Sequence, residues 1–513
     1  MPKPPNILLV MADQLAPHFT GTYGHPLVRT PNLDRLAERG ARFDAAYCNA
    51  PLCAPARFSF LAGQLGSRIG AYDNASEFPA SVPTLAHYLR LMGYRTCLAG
   101  KMHFVGPDQL HGFEERLTTD IYPSDHAWTP NWEKAEERIG KWYHNMDSVR
   151  EAGSGATTFQ LEFDDEAGFF SRRRLFDFAK KGAEPFFMTL GFIHPHDPYV
   201  ARPEWWNLYR DEEIPLPETR IPWEQQDPHS KRVMTGIEAD PEQAAGIAEQ
   251  QIRNARHGYF ANTSYIDAKL GELIQTLEEA GLADNTLVIF TADHGDMLGE
   301  RGLWYKMTFF ERSVRVPLVM AGPGIGSGLK IANACSLLDL PPTLLEAATE
   351  GGAKVPDLGQ RLEGRSLLPL AAGGGTGDPD ETAAEYLAEC TGHPLFMLRR
   401  GSLKYIHCDS DPAQLYDLSK DPEELTNLAG DPAHAETAAG FAGAVAARWD
   451  SAAIRAAVIA SQRRRRVVHA AMETGALTSW DYQPKRDAAQ EYVRNHMDWT
   501  LQAERSRFPP YAG

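Results

Sequence analysis

Four short runs of apolar and β-branched residues in this chain stop abruptly at polar residues instead of alternating with them. Asn6 to Met11 runs into Asp13-Gln14, and Tyr94 to Ala99 into Gly100-Lys101-Met102-His103. Phe186 to Ile193 runs into His194-Pro195-His196-Asp197, and Leu287 to Thr291 into Asp293-His294-Gly295-Asp296. Continuous apolar runs of this length read as parallel strands buried on both faces. Between them, Thr30 to Ala37 and the long stretch Glu249 to Ala280 carry apolar residues at helical spacing. The pattern predicts an α/β domain. In such folds ligands sit beyond the carboxyl ends of the parallel strands, so ends bearing Asp, Lys, His and Asp-His are expected to converge.

At 513 residues and 43% hydrophobic composition the chain exceeds one compact core, and two globular units are expected. The glycine-rich stretch Ala371 to Gly377 places the end of the first near residue 375. A smaller α+β domain, 376–455, should follow, with short strands over Glu385 to Glu389 and Leu395 to Cys408, the latter bent at Arg400-Gly401-Ser402, and a helix over Ala435 to Trp449. Residues 456–513 are aromatic and charged without a core pattern. They read as an extended arm between subunits, and a homo-oligomer, dimer or tetramer, is expected.

A formal charge of −17 argues against nucleic acid and anionic membranes as partners. An anionic substrate would then need a local cationic pocket. The run Arg463 to Arg466 beside Ala452-Ala453-Ile454-Arg455 reads as a solvated helix face or a subunit contact. The start, Met1 to Val10, lacks the apolar region and cleavage site of a secretory signal, and no later stretch is apolar enough to span a bilayer, so a cytoplasmic location is expected. Cysteines 48, 53, 97, 335, 390 and 408 show no compact zinc spacing. Cys48 and Cys53 could pair only if Cys53 has no other use.

Cys53 lies in Cys53-Ala54-Pro55-Ala56-Arg57, where Pro55 is placed to open a helix. The cysteine would then sit at a helix N-terminus, where free amides attract an anion and Arg57, one turn along, adds positive charge. A lone cysteine before a helix is ordinarily structural. Within C-x-P-x-R the chain instead resembles the sulfatase family, in which this motif directs oxidation of the cysteine to formylglycine. Further matches follow in the family's order: Asn6 to Gln14, Gly100-Lys101-Met102-His103, Pro195-His196-Asp197-Pro198, Asp293-His294-Gly295 and Leu415-Tyr416-Asp417-Leu418.

The resemblance implies an alkaline-phosphatase-like, largely parallel sheet flanked by helices. It also implies one divalent cation held by Asp13, Gln14, Asp293, His294 and the oxidised residue 53. Calcium is the family's usual ion, and His294 brings in manganese, with magnesium a further candidate. The implied reaction is attack on sulfur by a hydroxyl of hydrated formylglycine. Arg57, Lys101 and Lys306 would hold the sulfate oxygens, His196 would protonate the leaving oxygen, and His103 would act as base in the next step. A formylglycine-generating or sulfatase-maturating enzyme is an implied partner. Helix capping is the bland reading of Asp13 and Asp293, and a buried core role that of His103, His194 and His196; His194 is kept as structural.

Gln14 and His294 match the phosphonate monoester hydrolase and choline sulfatase branches. His111-Gly112-Phe113-Glu114-Glu115-Arg116-Leu117-Thr118-Thr119-Asp120-Ile121-Tyr122-Pro123, Trp142-Tyr143-His144-Asn145, Gln226 to Ser230 and Arg494-Asn495-His496-Met497 resemble the latter. Asn74, Trp128, His144, Asn145 and Glu389 match its pocket positions, and aromatic faces with negative charge suit a quaternary ammonium. Without that likeness Trp128 and Tyr143 read as packing and Glu389 as a surface acid. The substrate implied is a small sulfate ester, choline sulfate first. The rivals are a phosphonate or phosphate ester hydrolase, an aryl or carbohydrate sulfatase, and a non-catalytic binder of sulfated ligands should Cys53 stay a thiol.

Overall fold

A computed structural model describes residues 3–137, 139, 144–182, 184–374 and 378–509. Trp142 and Tyr143 of the sequence reading, and the boundary expected at 375, lie outside these residues. The central sheet has eight strands in the order Leu329–Ser336, Ala41–Tyr47, Arg315–Ala321, Thr286–Ala292, Asn6–Asp13, Phe186–Pro195, Arg95–Gly100 and Glu115–Arg116. All run parallel except Arg315–Ala321, which is antiparallel to both neighbours.

The apolar runs that suggested strands form the middle of this sheet. Asn6–Asp13, Phe186–Pro195 and Thr286–Ala292 are buried at every position, because helices cover both faces. The register Leu9↔Thr189 and Leu9↔Ile289 on either side of the first strand brings the three polar ends level. The Arg95–Gly100 strand pairs beyond, Gly100 opposite Gly191. A side chain at Gly191 would strike the Lys101 carbonyl at 1.9 Å, so glycine there lets the two strand ends close up. The expected helices appear as Pro31–Arg39 and Glu249–Glu279.

The smaller domain is an antiparallel meander, Glu381–Tyr386, Leu395–Arg400, Leu403–Cys408 and Asp411–Asp417, packed against the helix Ala435–Arg448. The strand expected over Glu385 to Glu389 is shifted. It spans Glu381–Tyr386, where Thr382, Ala383 and Ala384 pair with 397–399, and the chain leaves the sheet after Tyr386, whose hydroxyl donates to the Glu389 carbonyl at 3.0 Å.

The division at 455/456 falls inside one helix, Ser451–Met472. This helix packs on its own chain, and the arginine run is divided, with Arg463 and Arg464 exposed as on a solvated face and Arg465 buried. Arg463 pairs with Glu133, Arg466 donates to the Pro130 carbonyl, and the buried Arg465 forms a two-pronged pair with Asp73, 2.7 Å on each arm. No helix among the described residues is long and apolar enough to cross a membrane.

Candidate active site

The helix Cys53–Ala62 begins at Cys53 itself, and every one of its residues is buried. Asn74 Oδ1 accepts from the free Ala54 amide at 3.0 Å, satisfying one of the donors the helix start leaves open. The Cys53 sulfur lies 3.2 Å from His294 Nε2, 3.5 Å from Lys306 Nζ and 3.8 Å from Asp13 Oδ1. Cys48 and Cys53 form no disulfide with one another. Burial, with Asp13 adding to it, pushes the Cys53 thiol up to about 11. A thiol held that high is protonated and a poor nucleophile at neutral pH.

Asp13, Cys53, Asp293 and His294 bring one ligand atom each to within 4.8 Å of one another. Two carboxylates, an imidazole and the Cys53 sulfur form a mixed donor set compatible with a divalent cation. His294 Nδ1 is spent on the Gly295 carbonyl at 3.0 Å, which leaves Nε2 with its lone pair facing the cluster. Burial lowers His294 to about 4 and so keeps that lone pair available. Burial alone would raise Asp13, but Lys101, His196, Arg57 and His294 overcome it and hold the carboxyl well below its usual range. Gln14, the remaining expected ligand, has its side-chain oxygen on Lys306 Nζ at 2.6 Å.

Arg57 is placed otherwise than expected. Its Nε meets Asp293 Oδ2 at 2.9 Å, its Nη2 meets Asp13 Oδ2 at 2.8 Å, and its Nη1 donates to the Lys101 carbonyl at 2.7 Å. The guanidinium is directed at the two acids of the cluster, where a planar fork can join both. Lys101 and Lys306 bring two ammonium groups to the cluster. Lys101 Nζ pairs with Asp13 Oδ2 at 2.5 Å and lies 4.3 Å over the Tyr122 ring. Lys306 Nζ reaches His196 Nε2 at 2.9 Å. Burial opposes its charge, yet Cys53, Asp13 and Asp197 together raise Lys306 above the ordinary lysine value.

His196 directs Nδ1 at the Asp197 carbonyl, 2.7 Å away, so Nε2 is the atom facing Lys306. Burial and then Lys306 lower its pKa well below the usual value. His103 adopts φ 60° and is held by Asp120, whose Oδ2 accepts from the Met102 and His103 amides at 3.0 and 2.8 Å. Burial and Lys101 lower it to about 3, and neither ring nitrogen has a hydrogen-bond partner among the described residues.

Around this centre Trp128 and Tyr122 meet edge to face at 5.2 Å, and Trp128 also faces the His103 ring edge-on at 6.1 Å. His144 stacks between His196 and Tyr305, with centroids at 5.7 and 4.8 Å. Glu389 is buried, its Oε1 without a hydrogen-bond partner among the described residues; burial, with Asp73 adding to it, raises its pKa to about 7, while Lys306 works the other way. Asn74 Nδ2 is likewise buried without a protein partner. Buried polar atoms left open are costly unless something fills the space beside them. Asn145 is turned away, its side-chain oxygen accepting from the Asp147 amide at 2.7 Å. His194 donates or accepts at Asp164, 2.7 Å away, behind the site.

Sequence reading passed over Asp120, Tyr122 and Asp296 as single residues. The first two lie inside a quoted segment and the third follows Asp293-His294-Gly295, but their contacts are made across loops, which spacing does not reveal.

Residues 5–350 match the sulfatase family, 299–447 the N-sulphoglucosamine sulphohydrolase C-terminal family, and 456–508 the choline sulfatase enzyme C-terminal family. The chain is 48% identical over 513 residues to choline-sulfatase of Rhizobium meliloti (strain 1021), covering 98% of each. It is 30% identical over 442 residues to human arylsulfatase K, covering 81% of this chain and 77% of that one. The phosphonate monoester hydrolase of Agrobacterium radiobacter shares the fold, with a TM-score of 0.69 at 24% identity, covering 88% of this chain and 96% of that one. An alkaline-phosphatase-like sheet with a converging acid, histidine and lysine centre is therefore the frame of this protein. The chain belongs to the sulfatase family and is a sulfuric ester hydrolase.

Proposed function

We propose that this enzyme hydrolyses choline sulfate to choline and sulfate through a formylglycine at position 53. The observation that carries the reading is the setting of Cys53, at a buried helix start within reach of His294, Asp13 and Lys306, where the unmodified thiol would be protonated. Oxidised to an aldehyde and hydrated, residue 53 offers a hydroxyl that attacks sulfur, while the bond from sulfur to the alcohol oxygen breaks on the opposite side. A divalent cation held by Asp13, Asp293, His294 and Gln14 would supply Lewis acidity that lowers the pKa of that hydroxyl. Calcium or manganese fits this donor set, and magnesium is the third candidate.

Lys101 and Lys306 bind the sulfate oxygens and offset the charge that develops on them. His196, once protonated at Nε2 beside the Lys306 ammonium, gives a proton to the leaving alcohol. His103, kept neutral by burial and Lys101, then takes the proton of the second hydroxyl. The carbon–oxygen bond to sulfate breaks, sulfate departs, and the aldehyde returns, so no water attacks sulfur. Arg57 acts here by holding Asp13 and Asp293 in place.

For the alcohol, Trp128, His144 and Tyr122 offer aromatic faces and Glu389 a carboxylate, which together suit a quaternary ammonium that cannot donate a hydrogen bond. Asn74 contributes a free donor at the same wall. The relative's name and the match over 456–508 support the same substrate. The proposal extends to cytoplasmic residence, maturation by a formylglycine-generating or sulfatase-maturating enzyme, and a homo-oligomer.

Two measurements test the reading. The peptide containing residue 53 should be lighter than its cysteine form and react with aldehyde reagents; a fully alkylatable Cys53 in active protein rejects the mechanism. Compared side by side on choline sulfate, an aryl sulfate and a phosphonate monoester, kcat/KM should be highest for choline sulfate. A lower rank rejects the substrate while leaving sulfate-ester hydrolysis intact.

A further inference from the structure

Nothing in the reaction above uses Asp296, yet it is fully buried and four donors converge on its carboxylate. Oδ1 accepts from the backbone amides of Leu298 and Tyr305 at 2.8 and 2.9 Å. Oδ2 accepts from Gln14 Nε2 at 2.7 Å and from the Tyr199 hydroxyl at 2.8 Å. Both oxygens carry two donors each, so the group is saturated as an acceptor.

A glutamine amide has a direction. Turned one way it shows an oxygen, turned the other an NH2 group of nearly the same size, and only the oxygen can ligate a cation or accept from an ammonium. Shape cannot choose between them; partners must. Gln14 Nε2 faces two carboxylates, Asp296 and, at 3.4 Å, Asp197. Its oxygen faces Lys306 Nζ at 2.6 Å. The backbone cannot swivel to compensate, because Gln14 sits at φ 61° with its amide on Asp293 Oδ1 at 3.0 Å and its carbonyl on the Tyr259 hydroxyl at 2.6 Å. Through the Tyr305 amide, Asp296 also grips the residue next to Lys306, where Tyr305 has φ 62°.

We infer that Asp296 is a positioning residue that sets the direction of the Gln14 amide, so that its oxygen faces Lys306 and the cation cluster. The inference rests on the cation site of the proposed function. Replacing one oxygen of residue 296 by NH2 brings donor against donor at one pair of contacts, and rotation of the Gln14 amide is the shortest relief. That rotation turns NH2 toward Lys306 and the cation.

The test is calorimetric titration of the full-length, chelator-stripped protein with Mn2+ and, separately, Ca2+, with melting temperature recorded in chelator. Asp296→Asn should weaken the ion by about 10–100-fold. Tyr199→Phe removes a donor from the same oxygen without altering the acceptor, and should stay within about threefold of the parent. Gln14→Glu should gain no affinity despite its added negative charge, because its second oxygen would face Asp296. Three results each overturn the inference: Asp296→Asn binding like the parent, Tyr199→Phe losing as much as Asp296→Asn, or Gln14→Glu binding more tightly. Should Asp296→Asn fail to fold, the inference is overturned by Gln14→Glu binding more tightly than the parent or by Tyr199→Phe losing about tenfold or more. A parent protein that binds neither ion removes the cation-site reading and the inference with it, whereas a binding parent with unaffected variants removes the inference alone.

Discussion

At the scale of single residues, the chemistry of this site is governed by burial. Glu389, raised to about 7 by burial and the Asp73 charge, is largely protonated below neutrality. A cationic substrate favours the ionised form, so its binding should release a proton, and affinity should strengthen as pH rises through about 7. Measured KM for choline sulfate should therefore fall across that window in the parent, and stay level in Glu389→Gln at a value roughly tenfold higher. A neutral alkyl sulfate should show no such difference. Lys306→Met removes the ammonium shared by Gln14, Cys53 and His196, and kcat should drop by about two to three orders of magnitude. Arg57→Lys keeps the charge but loses the fork between Asp13 and Asp293. Its expected signature is weaker metal binding in calorimetry, with little direct effect on the affinity for sulfate as a product inhibitor.

At the scale of elements, the strand ends were legible because a buried parallel strand is apolar throughout and must stop where its polar ligands begin. The helix at Cys53 was legible for a similarly local reason, in Pro55 and the run of small and apolar residues after it. The helix Ser451–Met472 was not. Its arginines look solvated in sequence because their acceptors, Glu133, Asp73 and the Pro130 carbonyl, lie more than three hundred positions away. The Arg465–Asp73 pair fixes the loop whose next residue, Asn74, caps the Cys53 helix. Arg465→Ala would strand the Asp73 charge in the interior, and unfolding free energy should fall by about 3 kcal/mol in denaturant titration, with KM raised as the pocket wall loosens. Arg465→Met combined with Asp73→Asn should recover a good part of that loss.

At the scale of the whole molecule, the C-terminal segment closes over the catalytic domain of its own chain. Asp481 accepts from the Ser124 amide and hydroxyl, Trp480 meets His126 edge to face at 5.3 Å, and Tyr482 lies against Arg116. These contacts brace the loop that carries Tyr122 and Trp128. Removal of residues 473–513 should then lower kcat/KM for choline sulfate even at dilutions where any oligomer has dissociated. Metal removal acts on the same scale. An ion present at about a hundred times its Kd contributes roughly 2.7 kcal/mol to stability, so stripping it by chelation should lower the melting temperature measurably.

Four central strands and two helices of the larger domain, the polar groups at the strand ends and the C-x-P-x-R start of the helix at Cys53 were legible in the sequence alone. Each is written in a window of about ten residues, where periodicity and local backbone preference act. Tertiary structure decided how those groups meet: that Arg57 joins two acids, that Asn145 accepts from the Asp147 amide, that Arg465 pairs with the distant Asp73, and that Gln14 donates to Asp296. Hydrogen bonds and ion pairs act over a few ångströms of space regardless of separation along the chain, so their partners become known only when the sheet has brought those strand ends together.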